Sequence, residues 1–259
     1  MARQQLAQSL SISAASVLVL NSVLFLAALL VVIGTPHRSA PKPARGCRGE
    51  LDEGIRYLRE DRLIAVIIVL LLVTNMLDTA LLAVFLPVYT ASILHDPVAL
   101  GAIVGVMGAT ALLGNLLFGW LGHRAGARRL VFTVAFAVGG VSPQIVLALE
   151  AELPVILLVV GVSGTATGAV NPILAVVTYE RIPERMRGRV LSLTTLVSQG
   201  GTPLGVLVGG LLVDGIGLVP TLWLTAGCYA TAVVVPVLPV LREMNDPALA
   251  TGEVAAGHP

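Results

Sequence analysis

Charge is what this sequence has least of. Only 12% of its 259 residues are Asp, Glu, Lys or Arg, against roughly 25% in an ordinary soluble domain. A surface facing water cannot be assembled from so few, and 56% of the chain is hydrophobic. Lysine is nearly absent, with Lys42 the single example, and the net charge of +1 leaves neither a basic face for nucleic acid nor an acidic disordered tail. The two cysteines, Cys47 in a charged linker and Cys228 in an apolar run, do not read as a disulfide pair. With four histidines and no HExxH or CxxC spacing there is no basis for metal chemistry, hydrolysis or a bound cofactor, and enzymatic activity is not expected.

Long apolar runs are present instead. The hydrocarbon core of a bilayer is about 30 Å thick and needs about 20 helical residues. Seven runs meet that length: Ser11 to Ile33, Leu63 to Thr90, Val98 to Leu121, Leu130 to Leu149, Leu153 to Thr178, Val190 to Val213 and Ile216 to Val240. They predict an all-α integral membrane protein of about seven transmembrane helices. The first run follows Arg3 as a signal peptide would, but it is too long for a cleaved hydrophobic region.

Basic residues fix the expected orientation. Arg38, Lys42, Arg45, Arg48, Arg56, Arg59 and Arg62 lie between the first two runs, Arg124, Arg128 and Arg129 between the third and fourth, and Arg181, Arg185, Arg187 and Arg189 between the fifth and sixth; Arg242 follows the last. The alternate linkers, around His95 and Asp96, Glu150 and Glu152, and Asp214, hold none. The positive-inside rule then puts the N-terminus outside and the C-terminus in the cytoplasm.

The organisation expected is a first transmembrane helix within residues 1–33, a cytoplasmic linker over 34–62, six helices over 63–242 and a disordered cytoplasmic tail over 243–259. Within the linker, Leu51, Ile55 and Leu58 share one face of a short helix over Glu50 to Arg62, with Asp52 and Arg56 spaced for an i,i+4 pair. An amphipathic helix at headgroup level accounts for that pattern; a regulatory element is the alternative.

Asp78 is the only ionisable residue well inside any run, and an acid at the centre of a membrane helix costs about 2.5 to 3.5 kcal/mol on insertion scales. Thr74 and Asn75 precede it by four and three residues and share its face. Two readings fit: a proton or cation site facing a cavity, or a neutral structural acid bonded to a neighbouring helix. Gly164, Thr167, Gly168 and Asn171, and likewise Thr195, Ser198, Gln199 and Thr202, repeat at i, i+3, i+4, i+7. Such stripes suit a cavity for an amphipathic solute, and equally suit interhelical hydrogen bonds. Gly201, Gly205 and Gly209 form a double GxxxG beside Pro203, the mark of close helix approach and of a possible bend.

The third linker is the most specific feature. Gly119-Trp120-Leu121-Gly122-His123-Arg124-Ala125-Gly126-Ala127-Arg128-Arg129 resembles the G-x-L-x-D-R-x-G-R-R loop of the major facilitator superfamily of transporters. Leu20 to Leu26, Glu53 to Arg59, Pro183 to Val190, and Pro203-Leu204-Gly205 with Gly209-Gly210 look like segments of its drug-efflux branch, which includes macrolide and siderophore exporters. The resemblance covers Ser11 to Arg242 and implies helices six to twelve of a twelve-helix fold: the C-terminal six-helix half plus one preceding helix. It implies proton-coupled efflux of drugs or other small amphipathic molecules across the cell membrane. Asp78 would couple protons; Thr74, Asn75, Thr167, Asn171, Thr195 and Gln199 would line the substrate path; Gly119, His123, Arg124, Gly126, Arg128 and Arg129 would form a cytoplasmic gate motif. His123 and Ala127 depart from the family's Asp and Arg, which weakens a gate role for His123.

The partners implied are the lipid bilayer, protons and a small-molecule substrate. Because rocking one half against the other needs both halves, the chain is expected to be a fragment or truncated product, or to receive its N-terminal half from another polypeptide. A non-transporting structural or regulatory membrane subunit is the alternative. A seven-helix receptor fits less well, since the outer loops are short and without cysteine, and a retinal protein would need a lysine in its last helix.

Overall fold

The structure, a computed structural model, describes residues 16, 19, 21–31, 33–34, 62–121, 128–182 and 184–240. All of the regular elements among them are helical. The chain divides into two units, residues 1–45 and 46–259. In the first, α1 (Asn21–Val31) is a short apolar helix whose side chains are exposed. The proposed linker helix lies outside the described residues except for Arg62, and the 243–259 tail lies wholly outside them.

In the second unit the element order is α2 (Arg62–Ala80), a π turn (Leu81–Phe85), α3 (Leu86–Ser92), α4 (Pro97–Leu121), α5 (Arg128–Phe136), a second π turn (Ala137–Val141), α6 (Ser142–Ala148), α7 (Leu153–Gly168), α8 (Val170–Arg181), α9 (Glu184–Gly200), α10 (Thr202–Ile216) and α11 (Leu218–Val240). Among the described residues, four stretches are long and apolar enough to cross a bilayer: Ile64–Ser92, Pro97–Trp120, Leu153–Ala175 and Val190–Ile216. Phe132–Ala148 and Leu218–Val234 are shorter apolar helices. These stretches fall on the runs read from the sequence.

Four of the six spans are interrupted near a proline. Pro87 and Pro143 each stand at the second residue of the helix after a π turn; Pro172 follows the break at Ala169, and Pro203 the break at Gly201. Proline lacks the N–H that an α-helix needs, so a carbonyl one turn earlier loses its partner. At Pro143 the affected carbonyl is that of Gly139, and the Ser163 hydroxyl of α7 donates to it at 2.5 Å. The break is thus repaired from a neighbouring helix, as membrane interiors require.

Lipid tails are as apolar as leucine, so helices in a bilayer associate through close backbone packing rather than hydrophobic exclusion. Two glycine-lined pairs supply it. A Cβ at Gly201 would meet Leu72, one at Gly205 would stand 2.1 Å from the Met76 carbonyl oxygen, and one at Gly209 would stand 2.9 Å from the Ala80 Cβ. The rows 72/76/80 and 201/205/209 ascend together, so α2 runs parallel to the α9–α10 span. In the other pair, a Cβ at Gly164 would strike the Thr110 hydroxyl, one at Gly168 the Ala111 carbonyl oxygen at 2.2 Å, and one at Gly114 the Thr165 carbonyl. This makes α4 and α7 parallel as well. The first span thus pairs with the fifth and the second with the fourth, the pattern expected if the two three-helix sets are related by an inverted repeat.

The buried residues form two main clusters. One gathers Leu77, Phe132, Phe136, Ile173, Tyr229 and Val233; the other gathers Phe85, Tyr89, Ile103, Leu147, Ile156 and Leu222. Outward faces remain apolar: Leu112, Leu113, Leu116 and Leu117 of α4 and Leu204, Leu207 and Leu211 of α10 are exposed. An exposed apolar face of that extent is what a lipid environment solvates.

Glycine positions separate cleanly by what surrounds them. Gly205→Ala is expected to lower stability by about 1–3 kcal/mol, as overpacking does. Gly105→Ala, where a Cβ would meet nothing within 4 Å, should be neutral or stabilising by up to about 1 kcal/mol. Unfolding of the two variants in mixed micelles checks the contrast, and equal stabilities would refute the packing described.

Candidate functional site

Asp78 lies on α2 three residues before the first π turn. Its carboxyl turns toward α11, where the Tyr229 hydroxyl donates to Asp78 Oδ2 at 3.5 Å. That is long for an O–H···O bond, so the two groups are neighbours held loosely rather than a tight pair. Thr74, one turn before Asp78, is the other side-chain neighbour of the Tyr229 hydroxyl. The Thr74 hydroxyl is buried and donates to its own helix at the Leu70 carbonyl, 2.9 Å away.

Tyr229 is held in place by an absence on the facing helix. A Cβ on Gly140 would lie 1.9 Å from the Tyr229 ring, so only glycine lets the phenol lie against the second π turn. Beside it, a Cβ on Gly139 would meet the Thr167 methyl at 2.2 Å. The Gly139-Gly140 pair thus seats Tyr229 on one side and Thr167 on the other, and Ser163 fastens the same turn through the Gly139 carbonyl. Three spans, α2, α5–α6 and α11, therefore meet at one phenol and one carboxyl.

Of the polar residues expected along a substrate path, Thr74 stands beside the Asp78–Tyr229 pair, while Asn75, Thr167 and Thr195 make their hydrogen bonds elsewhere. Asn75 is half-buried, and its amide donates to the Ser198 carbonyl at 3.1 Å, tying α2 to α9. Thr167 donates to the Ser163 and Gly164 carbonyls within α7. Thr195 donates to the Leu191 carbonyl and is exposed, as are Asn171 and Gln199. The Thr202 hydroxyl meets Gln199 Oε1 at 3.4 Å. The Thr74, Asn75 and Thr167 side chains thus donate to backbone carbonyls, while Asn171, Thr195 and Gln199 stand on exposed faces.

Of the gate motif, Gly119 is exposed near the end of α4 with open space around it, and Arg128 and Arg129 begin α5. His123, Arg124 and Gly126 lie outside the described residues. Among the described residues no cluster of three or more His, Cys, Asp or Glu side chains is placed to hold a metal ion.

Tyr229, Gly139, Gly140 and Ser163 are the participants that sequence reading missed. The available signal was the run Gly139-Gly140-Val141-Ser142-Pro143-Gln144, two glycines, a proline and two polar residues inside an apolar span.

Taken together, the apolar exterior, proline-broken spans, glycine-lined parallel pairs and one intramembrane acid define a polytopic helical membrane protein built like half of a transporter. The chain belongs to the Major Facilitator Superfamily, whose family model matches residues 68–256. It is 31% identical over 234 residues to the multidrug efflux pump Tap of Mycobacterium tuberculosis (strain ATCC 25618 / H37Rv), covering 86% of this chain and 53% of that protein. It is 27% identical over 213 residues to the Tap pump of Mycolicibacterium fortuitum, covering 82% and 51% respectively. It is also 28% identical over 212 residues to the MFS-type transporter YuxJ of Bacillus subtilis (strain 168), covering 79% and 52%. The chain spans about half the length of the curated relatives it matches.

Two substitutions probe the junction. Tyr229→Phe removes one loose hydrogen bond and should cost about 0.5–1.5 kcal/mol. Gly140→Ala forces the buried ring out of its seat and should cost about 1–3 kcal/mol. Unfolding in mixed micelles ranks them; a Gly140→Ala variant as stable as the parent would contradict the seating of Tyr229.

Proposed function

We propose that this chain is the C-terminal half of a proton-coupled exporter of drugs or other small amphipathic molecules. The observation that carries the reading is Asp78: an acid midway along an apolar span, bonded to a neutral phenol, in a stretch from Leu63 to Gly122 that contains no Lys or Arg. A structural salt bridge would leave that acid permanently charged, whereas a phenol partner lets it bind and release a proton. The names of the Tap relatives support efflux, and the family supports transport rather than catalysis.

Asn171, Thr195 and Gln199, which stand on exposed faces, would line the solute path once a second half covers them. That half would come from a longer form of the same polypeptide or from a separate one. Neutral polar groups scattered on apolar helix faces favour amphipathic solutes over highly charged ones. Fifteen of the sixteen basic residues fall on the side of the linkers before α2 and α5, and this favours a cytoplasmic C-terminus.

Asp78→Asn keeps the shape of the side chain and removes its proton chemistry. In a transporter containing both halves it is expected to abolish export driven by a pH gradient while leaving membrane insertion intact. Dye efflux from proteoliposomes with an imposed gradient measures this, and undiminished transport would remove Asp78 from the coupling step.

A further inference from the structure

Gln144 on α6 has no exposed surface, and neither its amide nitrogen nor its carbonyl oxygen has a partner among protein atoms. Among the described residues it is the one buried side chain with polar atoms left in that state. A buried amide is normally satisfied by protein or by enclosed water, and its surroundings indicate which applies here.

The third and sixth spans run antiparallel, as shown by Phe136 sharing a cluster with Val233, Gly140 facing Tyr229, and Leu147 sharing a cluster with Leu222. One turn forward from Gly140 is Gln144, and one turn back from Tyr229 is Thr225, so both steps lead the same way along the bundle. Thr221 lies one turn further on. Thr225 and Thr221 are buried, and their hydroxyls donate to the Thr221 and Gly217 carbonyls at 2.9 and 2.7 Å. Each hydroxyl oxygen keeps its acceptor lone pairs free for another donor. The line ends at Gly217, the positive-φ turn between α10 and α11, at the end of the bundle that the basic residues assign to the outside.

The geometry points to an enclosed hydration site at Gln144 that carries protons between the outer face and the Asp78–Tyr229 pair, entirely within this six-helix half. The Gln144 amide offers both donors and an acceptor, so it orients water without itself titrating. The Asp78 carboxylate takes one proton from the water beside it, and that water is replenished from the next one toward Thr225 and Gly217. Tyr229 keeps its own O–H throughout, and no covalent bond other than O–H changes. Charged groups on the packed elements lie at the ends of the bundle: Asp96, Glu150, Glu152 and Asp214 at the outer turns, and Arg62, Arg128, Arg129, Glu180, Arg181, Glu184, Arg185, Arg187 and Arg189 at the opposite end. This inference rests on Asp78 being the proton site, and it separates the proton route from the solute path between halves.

The test uses the full 259-residue chain in lipid nanodiscs. Exchange of the Asp78 carboxyl proton for deuterium is followed by its infrared C=O stretch, identified as the band lost in Asp78→Asn. Gln144→Leu and Thr225→Val are each expected to slow exchange by about tenfold or more, the factor that follows from losing one hydrogen bond of ordinary strength. Thr231→Val, on the exposed face of α11, should exchange at the parent rate. Parent-like exchange in folded Gln144→Leu, or in Thr225→Val if the former does not fold, overturns the route, as does the absence of a protonated Asp78 band at every pH. Exchange is read from the carboxyl whatever its use, so continued gradient-driven efflux by Asp78→Asn would remove the coupling reading and leave the exchange result standing.

Discussion

Backbone contact between glycine-lined helices is the constraint on which the rest of this structure depends. In lipid there is little to gain from burying one apolar side chain against another, so spans hold together where small residues let main chains approach and where polar groups bond across helices. Here that happens twice, between α2 and the α9–α10 span and between α4 and α7. Gly201, Gly205 and Gly209 fit against Leu72, Met76 and Ala80, while Gly164 and Gly168 fit against Thr110 and Ala111. These two pairs set the depth and rotation of four spans, and with them the direction in which Asp78 points.

The third and sixth spans are fitted to that frame by a different device. Pro143 breaks the helix, the π turn before it presents Gly139 and Gly140, and Tyr229 and Thr167 occupy the surfaces those glycines leave, with Ser163 bonded to the Gly139 carbonyl. A π turn displaces side chains around the axis relative to a regular helix, and such turns recur at functional sites. Its counterpart at Leu81–Phe85 begins just after Asp78. The acid therefore sits where two interrupted spans meet an uninterrupted one, a place where a small rearrangement alters hydrogen bonding more readily than in a continuous helix.

Burial divides the polar side chains by role. Most of the threonines and serines in the spans return their hydroxyls to carbonyls of their own helix, as Thr110, Thr165 and Thr194 do, so their polarity by itself does not mark a site. The exceptions cross between helices: Asn75 to Ser198, Ser163 to Gly139, Tyr229 to Asp78, and Tyr89 to the Ala151 carbonyl of the loop before α7. Polar stripes at i, i+3, i+4, i+7 spacing therefore overstate how much of a helix face is available to a solute. Thr167 and Asn171 share such a stripe, yet one is packed against a glycine and the other is exposed.

The sequence by itself determined the apolar spans, the singular acid and the superfamily, because apolar run length and a linear loop motif are local properties that need no neighbour to read. It also carried the double GxxxG of α10, although not the helix that it meets. Only the tertiary structure decided that Asp78 faces Tyr229, that Gly140 is needed to seat that ring, and that Thr74 and Thr167 turn inward while Thr195 and Gln199 remain exposed. Helical periodicity says which residues share a face; which face meets which partner depends on the rotation of each helix about its axis. That rotation is set by glycine contacts between residues far apart in the chain, such as Gly205 against Met76 and Gly168 against Ala111.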